Sequence, residues 1–192
     1  MKSGLNTLML GASLLLFTPV VSGAQVRGGV RDTAMARQHA QHLAAACGDK
    51  RGDEKLACER SFMAMQQRGE HAMGVDQYTS QHVFDSLADG GRIELQADPA
   101  DTAAVEPVRE HLREIAEAFA RGDFATPGFV HDQKVPGTEI MKERRSSIRY
   151  EFRALPRGGE VIIRTSDQPA LRAIHAFLAF QRQEHRAGGS RQ

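Results

Sequence analysis

Tryptophan is absent from this 192-residue chain, tyrosine and cysteine occur only twice each, and aromatic residues amount to 6%. Charge of either sign is also lacking in excess, with 25 Lys+Arg set against 24 Asp+Glu. Phosphate backbones and anionic membranes call for a clustered surplus of cations, so this balance removes nucleic acid from the expected partners. The 18 glycines and 7 prolines follow no period, which excludes a collagen-like or fibrous repeat. Two thiols are too few for a zinc finger, and their spacing is not that of a redox Cys-x-x-Cys pair. No Gly-x-Ser-x-Gly, Ser-x-x-Lys, Walker A or Gly-x-Gly-x-x-Gly pattern occurs, so serine hydrolysis and nucleotide binding have no motif behind them. What is left is one globular domain's length of chain.

The N-terminus reads as a secretory signal. Lys2 is followed by an apolar stretch through Leu8, Leu10, Leu14, Leu15, Leu16 and Phe17, then by small residues at Ser22 and Ala24. This predicts a signal peptide over 1–24, cleavage after Ala24 and a mature chain beginning at Gln25. The apolar stretch falls short of the ~20 residues that cross a bilayer, and no later one reaches it, so no membrane span is expected after cleavage. The expected location is the periplasm or the medium. In such a compartment Cys47 and Cys58 are expected to pair, a closure that stabilises by about 2–3 kcal/mol on the chain-entropy model.

The expected organisation is a signal peptide (1–24), a helical hairpin with linker (25–78), an α+β domain (79–186) and a disordered tail (187–192). In the hairpin, the Ala- and Gln-rich 33–46 segment predicts one helix, and Asp53 caps a second through Gln67 that stops at Gly69. The disulfide would lock the two together. The α+β domain shows itself through an internal match. Ser86–Ala97 (SLADGGRIELQA) aligns with Ala154–Thr165 (ALPRGGEVIIRT), each having a Leu, two residues, Gly-Gly and alternating apolar positions. Each predicts a hairpin turning at its Gly-Gly pair, followed by an amphipathic helix. The fold class is therefore α+β: a four-stranded antiparallel sheet built from two pseudo-repeated ββα units, with helices on one face. Strands are placed near 79–84, 92–96, 148–154 and 160–164, and residues 122–143 read as a long loop.

Arg109–Phe124 (REHLREIAEAFARGDF), His131–Met141 (HDQKVPGTEIM) and Ala173–His185 (AIHAFLAFQRQEH) resemble a family of uncharacterised bacterial exported proteins, over roughly residues 80–186. Some members carry the label aspartate carbamoyltransferase. That activity is not implied here, because the Ser-Thr-Arg-Thr and His-Pro-x-Gln motifs of true carbamoyltransferases are missing from this chain.

All eight histidines and five methionines lie in the expected mature chain, and imidazole with thioether suits copper. His39, His42, Met63, Met65, His71 and Met73 crowd the hairpin, where filling gaps between helices is the common use of Met. In the α+β unit, taking about 100° per residue, His111 and His175 fall at the borders of their helices' apolar stripes while His185 falls in the middle of one. His111, His131, Met141 and His175 are the ligand set expected for copper or another transition metal, should they converge beneath the long loop. Phe177 and Phe180 widen the last helix's apolar surface beyond one stripe, so the hairpin, a second copy or a protein partner is expected to cover it. The function read first is a non-enzymatic binding or interaction protein; a metal-handling protein comes second and an enzyme of unassigned chemistry third.

Overall fold

The structure, a computed structural model, describes residues 36–37, 39–76 and 80–185. The signal peptide and the C-terminal tail read from the sequence lie outside the described residues. Residues 39–47 are helical (α1). They are followed by α2 (Gly52–Met73), β1 (Ser80–Leu87), β2 (Gly90–Ala97), α3 (Val105–Ala120), α4 (Ala125–His131), α5 (Thr138–Glu143), β3 (Ile148–Leu155), β4 (Gly158–Thr165) and α6 (Gln168–His185). No helix among the described residues is long and apolar enough to cross a membrane.

The four strands form one antiparallel sheet in the order β1-β2-β4-β3, so the second strand of each ββα unit meets its counterpart at the centre. The sheet's interior face takes every second residue: His82, Phe84, Ile93, Leu95, Val161, Ile163, Tyr150 and Phe152. Its other face is charged, with Arg92 bonded to Asp85 at 2.5 Å and to Glu94 at 2.9 Å. On α3 the buried positions Val108, Leu112, Ile115, Ala116 and Phe119 recur at helical spacing and lie over β3, β4 and β2. The buried stripe of α6 (Ala170, Ala173, Ile174, Phe177, Leu178) lies over β1 and β2. Each unit's helix thus covers mainly the other unit's hairpin. One bond pattern repeats with them. Arg109 of α3 donates to the carbonyls of Leu155 and Gly158 at 2.8 and 3.1 Å. His175 of α6 lies 2.9 and 3.0 Å from the carbonyls of Leu87 and Gly90, the matching pair.

Three local expectations are corrected. The hairpins do not turn at Gly-Gly: the two-residue turns are Ala88-Asp89 and Pro156-Arg157, and the glycines open the following strands. The central strand pair approaches so closely that a Cβ on Gly90 would sit 1.8 Å from the Ile163 carbonyl oxygen. The second helix does not stop at Gly69, which is buried inside it, but runs on to Met73 with Gly74 in the left-handed conformation behind it. It begins at Gly52, so Asp53 lies in its first turn and Arg51 holds the capping position. Residues 122–143 are not a loop, because α4 and α5 occupy most of them. Pro127 is tolerated in α4's first turn, where its missing N–H would have had no helical partner.

α5 packs along α6, and with α4 it explains the wide apolar surface of the last helix. Phe177 is 2% exposed and meets Phe119 and Phe124 at 5.7 and 6.3 Å between ring centroids. Phe180 is partly buried, with the His131 ring 5.0 Å away edge-to-face. The chain itself covers Phe177 and part of Phe180. Cys47 and Cys58 are joined by a disulfide with Cα atoms 5.9 Å apart, linking α1 to the early turns of α2.

Candidate functional site

Four of the eight histidines arrive at one cavity from four different elements: His82 of β1, His111 of α3, His131 of α4 and His185 of α6. Local sequence explains each placement. His82 alternates with Phe84 on the interior face of β1, opposite Leu95. His111 precedes the buried Leu112 at the border of α3's stripe. His131 is the last residue of α4, where Asp132 takes a φ of 52° and ends the helix. His185 closes α6 one turn after the buried Gln181.

The rings are packed on one another. His82 and His185 stack with centroids 5.1 Å apart and planes 16° from parallel, and His131 stands edge-on to His185 at 5.1 Å. Phe84 completes the group, 5.6 Å from His185. The remaining wall is apolar, with Ile93, Leu95, Leu112, Ile115 and Phe119 as a floor and Ala72, Met73 and Val130 opposite. The cavity is open to solvent on one side and has a volume of about 90 Å³. That holds a few waters or one compact organic group, being smaller than the ~150 Å³ apolar cavity that accepts a benzene ring.

Gln181 supplies the polar feature of the wall. Its amide oxygen lies 3.1 Å from His131 Nε2, which donates to it, and both side chains are buried. The amide nitrogen of Gln181 and Nδ1 of His131 are buried with no hydrogen-bond partner. Rotating the amide by half a turn exchanges which atom meets His131 and still leaves one Gln181 atom unpartnered, so the orphaned group does not depend on the amide's assignment. A buried polar atom of this kind costs about 1–3 kcal/mol while unpaired.

Burial disfavours the charged form of each imidazole. It pushes His82 down to about 4, with the nearby His111 adding to the effect. His185 is held well below the ordinary histidine value by burial first, then by His82 and His131. His111 is lowered by burial, against the opposing pull of a backbone hydrogen bond with Ala72. His131 is lowered by burial too, although Gln181 and the Glu184 carboxylate, 4.0 Å from Nδ1, oppose the shift. Neutral imidazoles offer one donor and one acceptor each.

Of the four ligands expected from sequence, the structure brings two together. His111 and His131 share the cavity. His175 does not: both neighbours of its Nε2 are carbonyl oxygens, so that nitrogen donates and ties α6 to the β1–β2 hairpin. Met141 is fully buried in the main core, where it packs as an apolar side chain. Among the described residues no group of three or more His, Cys, Asp or Glu side chains is arranged to hold a metal ion. The stacking of His82 on His185 accounts for part of this, since imidazole lone pairs lie in the ring plane and those of parallel rings do not converge. Sequence reading missed His82, His185 and Gln181 as site residues. The signals were the alternation of His82 with Phe84 and the place of His185 inside an apolar helix stripe. No protein-family model, curated protein or solved structure matches this chain.

Proposed function

We propose that this is an exported, non-enzymatic binding protein whose ligand site is the histidine-walled cavity. The observation that carries the reading is the unpaired Gln181 amide atom, buried at 4% exposure in the wall of a small apolar cavity. An apolar floor with a few convergent polar groups is the usual make-up of a small-molecule site. The ligand that suits it is compact, uncharged and branched or cyclic, with one amide-like or hydroxyl-like group turned toward Gln181 and His131. A charged ligand would lose its hydration against walls that offer imidazoles, one amide and hydrocarbon but no opposite charge. The signal-like N-terminus and the Cys47–Cys58 disulfide support the exported setting.

Isobutyramide is a suitable probe, having a branched apolar body and one amide. Saturation-transfer NMR should detect its binding to the mature protein. Ala72→Leu, which places extra side chain into the cavity from α2, should abolish the signal. Binding unchanged in that variant, or no binding of compact amides and alcohols at all, would overturn the reading.

A further inference from the structure

Those four histidines come from segments widely separated in the chain, and three of them, His82, His131 and His185, meet ring to ring, while His111 lines the same cavity. We propose that the ring cluster is an acid-operated latch: neutral, it holds β1, α4 and the end of α6 together beside the cavity; protonated, it parts and widens the cavity. The geometry sets what protonation would do. His185 lies 5.1 Å from both His82 and His131, so a proton on any of the three places charge against a neighbouring ring, and a second proton places like charges there.

The charged groups around the cluster do little to relieve this. Arg68 of α2 donates to the carbonyl of Val130, beside His131, and adds positive charge. Arg182 of α6 is turned to the Phe84 carbonyl, and His71 of α2 meets Phe129. Glu184 is the carboxylate set toward the rings, a third exposed and 4.0 Å from His131, enough to favour one imidazolium and not several. The carboxylates of β1 and β2, Asp85 and Glu94, lie on the opposite face of the sheet with Arg92. Toward the cavity, β2 and α3 present Ile93, Leu95, Leu112 and Ile115.

The layer that gives way is α4 with the end of α2. A seven-residue helix cannot hold itself without packing, whereas the strands keep their ladders and the core beneath α3 and α6. Only the consequence for a ligand, release on acidification, rests on the cavity being a binding site. The opening is measured without any ligand.

Hydrogen exchange of the full mature chain, compared at about pH 7.5 and about pH 4.5 after correction for intrinsic rates, reads the latch directly. Residues 65–73 and 125–131 should exchange at least about tenfold faster in acid while β2 and β4 stay protected. The paired variant His82→Gln with His185→Gln should remove most of that acceleration. Ring titration by NMR on the unaltered protein gives a second readout that needs no variant: His82 should titrate more than about one pH unit below a free histidine, and His185 should be lowered in the same direction. Unchanged exchange across the two conditions, or cluster rings titrating near the ordinary value, would overturn the latch. A protein that opens in acid yet binds no probe supports the latch and refutes the ligand reading.

Discussion

His82 and His185 lie ring on ring, 5.1 Å apart and within 16° of parallel, joining the first strand to the last turn of the final helix. In both cases the backbone puts the imidazole on the element's apolar side, so the pair is half-buried against the packing that builds the core.

The pH dependence of stability follows from this placement. In the unfolded chain these histidines take up protons near the ordinary value of 6.5, while folded His82 does so only near 4. Between those values the unfolded state binds more protons, so stability falls as the pH falls. The contribution is complete above about pH 6.5, declines by about 1.4 kcal/mol for each pH unit down to about pH 4 and is level below. Urea unfolding at a series of pH values should trace this decline, and His82→Gln should flatten it. A curve of equal slope in the variant would remove His82 as its source.

Reduction of the disulfide should free α1 without dissolving the sheet. α1 spans residues 39–47, too short to persist alone, and it is fastened to α2 by Cys47–Cys58 and to Asp76 by a 3.0 Å contact from His39. Mass-spectrometric hydrogen exchange with and without reductant should show protection lost over 39–47 and kept over 148–165. Loss of protection in the strands would mean that the hairpin supports the whole fold.

Phe177→Ala should cost about 3–5 kcal/mol, because the ring is 2% exposed and packs against Phe119 and Phe124. Phe129→Ala should cost far less, the ring being 48% exposed on α4. Chemical denaturation of the two variants compares them directly.

Gly137→Ala should destabilise by more than about 1 kcal/mol. The residue precedes α5 at a φ of 84°, and a Cβ there would approach the Ala173 carbonyl oxygen to 2.1 Å. Thermal melting tests this, and a neutral result would show that α5 can shift away from α6.

Much of the architecture was legible in the chain because it depends on periodicity. The alternation Ile93, Leu95 against Val161, Ile163 and the helical spacing from Val108 to Phe119 hold wherever one face is buried. What escaped depends on distances between segments. Gly90 and Gly158 look like turn residues in sequence, yet their small size serves the close approach of β2 and β4, which local pattern does not encode. The helices within 122–143 were hidden by Pro127 and Gly137, each of which sits at a helix start where it does no harm. His175 and His185 looked like similar helix residues. Only the packing of α6 on β1 decides that one reaches a hairpin's carbonyls and the other a cavity.

Whether the four histidines form one ligand cavity is decided by following all the histidine ring signals of the mature protein while isobutyramide is added. The signals of His82, His111, His131 and His185 should move together along one saturating curve, while those of His39 and His175, which are engaged elsewhere, stay in place. Movement of the outlying rings alone, or no movement of the four up to the solubility limit of the probe, would contradict a shared cavity.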